Sequence, residues 1–76
     1  MIHIGHLIEE ELRQQERSVS WFARKLYCDR TNVYSIFKRR SIDTELLMRI
    51  SKVLHRNLFQ PYLEELEGRE KSSTLP

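Results

Sequence analysis

Between positions 17 and 40 the chain carries Arg17, Arg24, Lys25, Arg30, Lys38, Arg39 and Arg40. These are seven of its thirteen basic residues, set against a single acid, Asp29, for a local net charge of +6. Guanidinium and ammonium groups donate hydrogen bonds from a fixed charge. Interleaved with the hydroxyls of Ser18, Thr31, Tyr34 and Ser35 they make a donor-rich segment suited to a polyanion. The first sixteen residues are net −3 and those from position 41 onward net −1, so the small whole-chain charge of +2 conceals a segregated distribution. The chemistry implied is recognition of nucleic acid.

Other reactive residue types are sparse. His3 and His6 stand three apart and could share a metal ion, but no acid or thiol lies in register with them, so solvated histidines are the competing reading. Cys28 is the lone cysteine. It reads as a small apolar filler, or as a thiolate-prone redox sensor if Arg30 lies beside it. There is no glycine-rich phosphate loop, no HExxH and no CxxC, and 76 residues leave little room for a walled pocket. No enzymatic activity, cofactor or metal is expected. An unpaired cysteine, no signal peptide and no long apolar run point to a cytoplasmic protein, nucleoid-associated when bound, with no membrane partner.

The elements that must position these residues are helices. A chain this short supports one core, and 39% hydrophobic content is enough to build it. Ile4, Leu7, Ile8 and Leu12 form one helical stripe, with Glu9, Glu10, Arg13, Gln14 and Glu16 outside it. Ser18 caps a second helix whose inner face is Val19, Phe22, Ala23 and Leu26. Asp29 is positioned to cap a third, its carboxylate accepting from the amides of Thr31 or Asn32, with Val33, Ile36 and Phe37 inside. Asp43 caps a fourth carrying Leu46, Leu47, Ile50, Val53 and Leu54. A short fifth is expected to start near Gln60, beside Pro61, and to stop at Gly68. Residues 1–67 are thus expected to form one all-α, five-helix domain, and 68–76 a flexible C-terminal tail.

The second and third helices, separated by a turn of three or four residues, have the spacing of a helix-turn-helix, whose second helix enters the major groove. At 100° per residue Thr31, Tyr34, Ser35 and Lys38 point away from the buried side chains, and Arg30 stands beside them at the helix start. That outer face has no carboxylate, whereas a merely solvated face mixes Glu with Lys.

The run Ser18-Val19-Ser20-Trp21-Phe22-Ala23-Arg24-Lys25-Leu26, followed by Asp29-Arg30-Thr31-Asn32-Val33-Tyr34-Ser35-Ile36, resembles the helix-turn-helix of phage-repressor-like (Cro-type, XRE) bacterial regulators. Ala23 takes the position of the family's small residue between the motif helices, and Leu26 and Val33 match its aliphatic positions. The resemblance covers roughly residues 4–54. It implies the lambda-repressor-like five-helix order and DNA binding as a small transcriptional regulator, usually dimeric, with a recognition helix over about 30–38. Base-edge contacts then fall to Arg30, Thr31, Tyr34 and Ser35, and phosphate contacts to Ser18, Val19, Lys38, Arg39 and Arg40. Where the family has glycine in its turn this chain has Tyr27, and a bulky residue at positive φ is strained. Where the family often has a glutamate and a glycine, this chain has the basic exit Phe37-Lys38-Arg39-Arg40.

Several of these residues have a plainer reading. Arg30 could neutralise Asp29 or a carboxylate of the first helix. Tyr27 reads as a residue packed into the turn, and Trp21 either as a cover for the edge of the core beside Lys25 or as a contact to a sugar-phosphate or a second subunit. Phe59, Tyr62, Leu63 and Leu66, with Met48, form either a homodimer surface or a stripe that folds back onto its own monomer. The rival function is a protein-interaction module, such as an antitoxin or adaptor that kept the fold without reading an operator.

Overall fold

The computed structural model describes the backbone of residues 1–74 and the side chains of residues 1–68. It is all helical, with α1 (Ile4–Gln14), α2 (Val19–Leu26), α3 (Arg30–Phe37), α4 (Thr44–Leu54) and α5 (Gln60–Thr74), and no strand among the described residues. The core is built by the expected stripes. Ile4, Ile8 and Leu12 from α1 meet Phe22, Ala23 and Leu26 from α2, Val33, Ile36 and Phe37 from α3, and Leu47, Ile50 and Leu54 from α4. Leu58, which periodicity did not single out, completes this core from the α4–α5 turn.

The helix starts follow side-chain chemistry. Ser18 Oγ accepts from the amide of Trp21 at 3.0 Å and Asp43 Oδ1 from that of Leu46 at 2.7 Å, each satisfying an orphan donor. Asp29 departs from expectation. It occupies the N-cap position of α3, but its carboxylate makes no capping bond. Its backbone carbonyl alone serves the turn, accepting from Asn32 and Val33. α1 carries a cap the sequence reading did not assign. His3 Nδ1 accepts from the amide of His6 at 3.2 Å, and the two imidazoles stack with centroids 3.6 Å apart. The histidines are therefore structural at the start of α1 rather than simply solvated.

Three helices end without glycine in the left-handed region that glycine favours. Glu16, Tyr27 and His55 follow α1, α2 and α4 with φ of 57°, 56° and 52°. At each, backbone amides turn back to the last carbonyls of the helix, as in Cys28 N–H to Ala23 O at 3.0 Å. Tyr27 thus takes the left-handed backbone that glycine favours, at a cost in strain. It does not pack into the turn, being 91% exposed.

Gly5 serves a different need. A Cβ there would overlap the Phe37 carbonyl oxygen and lie 2.5 Å from that of Ile36, so α1 crosses the end of α3 backbone against backbone. The crossing is hydrogen bonded: Ile4 N–H donates to Arg40 O and Gly5 N–H to Arg39 O, each at 3.0 Å. The first amides of α1, unpartnered within their own helix, thereby fix the path of the chain leaving α3.

The far end of α1 is tied to the α4–α5 turn by Glu11. Its carboxylate accepts from Arg56 Nη1 at 2.6 Å and from Gln15 Nε2 at 2.7 Å, while Gln15 Nε2 also donates to Leu54 O at 2.8 Å. α5 does not stop at Gly68 but continues to Thr74. Glycine in a helix costs only about 1 kcal/mol relative to alanine, and the helix-favouring run Arg69-Glu70-Lys71 follows it. The flexible tail expected over 68–76 otherwise concerns side chains and a terminus outside the described residues. The principal extents of the molecule are 50 × 20 × 19 Å, consistent with α5 reaching beyond the four-helix core. No helix among the described residues is long and apolar enough to cross a membrane.

Candidate nucleic-acid interface

α2 and α3 pack together across the three residues Tyr27, Cys28 and Asp29. Burying Val33, Ile36 and Phe37 turns the opposite side of α3 outward, and Arg30, Thr31, Tyr34, Ser35 and Lys38 are all exposed there. The four residues expected to meet base edges therefore share one solvent-facing surface. Arg30 makes no ion pair among the described residues, with Asp29 or with α1, so the neutralising reading does not hold. Tyr34 is held by its ring, whose edge meets Phe37 at a centroid distance of 6.1 Å, leaving the phenol at the surface.

The residues expected near phosphates divide. Lys38, Arg39 and Arg40 are exposed at the exit of α3, on the backbone that α1 pins in place. Ser18 is exposed at the start of α2. Val19 packs its side chain against the core, so only its backbone is available to an anion. Lys25, part of the same basic segment in sequence, does not join this surface, and Arg17 reaches only its edge, beside Tyr34; both flank Trp21. The Arg17 guanidinium lies 4.5 Å from the indole centroid and the Lys25 ammonium 5.9 Å from it.

Two shallow grooves border the outer face of α3. One runs along α1 and the start of α2, lined by Glu9, Arg13, Arg17, Val19 and Tyr34. It brings a carboxylate to the edge of the surface, although Arg13 partly neutralises it at 3.5 Å. The other separates α3 from α4 and is lined by Asn32, Ser35, Arg39, Arg49 and Cys28, with no carboxylate in its wall. Arg49 had not been assigned to the site. It belongs to α4, and only the tertiary fold brings it beside α3, where Nη2 donates to Leu26 O at 2.9 Å. In the same groove burial, followed by the charge of Asp29, pushes the Cys28 thiol up from its ordinary range, against an opposing pull from Arg49. That favours the neutral thiol and the apolar-filler reading over a reactive thiolate.

No group of three or more histidine, cysteine, aspartate or glutamate side chains among the described residues is arranged to hold a metal ion. No family model matches the chain, and neither a curated protein nor a solved structure matches it significantly.

Proposed function

We propose that the chain is a small transcriptional regulator that binds double-stranded DNA through a helix-turn-helix formed by α2 and α3, with α3 in the major groove. The observation that carries this reading is the outer face of α3. Arg30, Thr31, Tyr34, Ser35 and Lys38 are exposed together, with no carboxylate paired to Arg30 or Lys38 among the described residues, on a helix pair braced by the core. Arginine and hydroxyl side chains on a helix of groove-fitting width are what base edges and phosphates require.

A single module of this kind covers about 600–1,000 Å² and reads few base pairs, so selectivity calls for two copies on a pseudopalindrome. The exposed side chains Tyr62, Leu63 and Leu66 of α5 supply a surface for that pairing, while Phe59 is half-buried against the monomer core and plays an anchoring part.

The test separates reading from adhesion. Duplexes are selected from a random pool, and binding is then measured to the selected sequence and to each of its single-base substitutions at fixed salt. Arg30→Ala should weaken binding and relax preference at one position of each half-site, since a bidentate arginine–guanine pair discriminates by about 1–3 kcal/mol. Arg39→Ala should lower affinity about equally for every sequence, because a phosphate contact carries no base information. Unchanged base preferences in Arg30→Ala would remove α3 as the reading surface.

A further inference from the structure

A second basic site lies away from α3. The end of α1, the start and middle of α2 and the end of α4 enclose a recess of about 340 Å³ bordered by Gln15, Arg17, Trp21, Lys25, Lys52 and His55. No residue of α3 and no carboxylate lines it. Glu16, adjacent to Gln15 and Arg17 in sequence, has a left-handed backbone and does not line the recess.

The three cations are poorly compensated. Arg17, Lys25 and Lys52 form no ion pair among the described residues, and the interactions drawn by Arg17 and Lys25 are with the Trp21 ring. Stacking on an indole fixes the plane of a guanidinium while leaving its edge N–H groups free to donate. Three like charges converging on one concavity repel one another, and that repulsion is relieved by a multivalent anion. Gln15 is held in the wall, because both of its amide hydrogens are engaged, by Glu11 and by the Leu54 carbonyl. The bond to Leu54 O also satisfies part of the negative end of α4, which would otherwise oppose an anion. The volume lies at the lower end of the range for small-molecule sites.

We propose that this recess binds a small molecule carrying two or more linked phosphate groups. Arg17, Lys25 and Lys52 supply the charge and the donors, and Trp21 holds Arg17 in place. Linked phosphates suit the site better than a single carboxylate because they spread several negative charges over the distance between α2 and α4. Arg17 also lines the groove beside Tyr34, so Lys25 and Lys52, which line neither groove of α3, are the residues that separate this proposal from the reading of α3 as a DNA-binding helix.

Trp21 is the only tryptophan in the chain, so its fluorescence reports on the recess directly. Inorganic tripolyphosphate and ATP are titrated separately at constant ionic strength, with sodium chloride as the reference salt. A saturable change with both probes is expected. Equal affinities would assign recognition to the phosphates alone, and tighter ATP binding would add a contribution from the nucleoside. Lys25→Gln and Lys52→Gln, each retaining the helical circular dichroism, should weaken tripolyphosphate binding about tenfold or more. Arg13→Gln, which removes the same charge elsewhere, should change it less than about twofold. A response that sodium chloride reproduces, equal weakening by all three variants, or displacement of tripolyphosphate by duplex DNA that survives Arg30→Ala would each overturn the proposal.

Discussion

Gly5 meets the carbonyl oxygens of Ile36 and Phe37 with no room for a side chain, and the contact is with backbone that α1 itself hydrogen bonds. Gly5→Ala should therefore destabilise the fold by about 1–3 kcal/mol, as overpacking does, even though alanine is the better helix former. Urea denaturation checks this, and a stabilised variant would contradict the close crossing. Tyr27 presents the opposite case. Its φ of 56° is strained for a tyrosine, and at 91% exposure the ring contributes little packing. Tyr27→Gly should raise stability by about 0.5–1 kcal/mol, seen as a higher urea midpoint at unchanged slope. The glycine-like demand at position 27 was visible in the resemblance, but the side chain's exposure was not. The capping role of His3 and the pairing of Glu11 with Arg56 were also hidden, since both depend on where a side chain points after the helices have docked.

At the scale of elements, periodic apolar stripes, the Ser18, Asp29 and Asp43 N-cap positions and Pro61 made five helix starts legible, because burial, capping and proline's fixed φ are local consequences of residue type. Helix ends were harder to read. The chain's two glycines are used at a helix crossing and inside α5, while Glu16, Tyr27 and His55 carry the left-handed ends. The C-terminal stripe was legible as apolar, yet its division was not. Leu58 and Phe59 belong to the monomer, whereas Tyr62, Leu63 and Leu66 remain 37%, 43% and 55% exposed. Burial and the neighbouring Glu65 charge also push the Tyr62 phenol up, keeping it neutral over the physiological range. A Leu63→Glu, Leu66→Glu double variant should sediment as a monomer with its thermal midpoint nearly unchanged, because only an interface would bury these positions. A large fall in the midpoint would instead assign them to the monomer core.

For the whole molecule, the basic segment over 17–40 does not fold into one patch. Arg30, Lys38, Arg39 and Arg40 lie on α3 and its exit, while Arg17 and Lys25 gather around Trp21 beside α4. Linear charge counts could not reveal this, since the partition follows from which flank of α2 packs toward which neighbour. Under the proposed function Lys38, Arg39 and Arg40 meet phosphates and Arg30 a base edge. The measurement that bears most directly on the proposed function is therefore the affinity for duplex DNA across a range of salt concentrations. Log K should fall with log salt at a slope of about −3 per chain, from three phosphate contacts at roughly 0.9 each, and Lys38→Gln should reduce that slope by about one contact's worth. A slope near zero, or one that the α3 substitution leaves intact, would contradict the account.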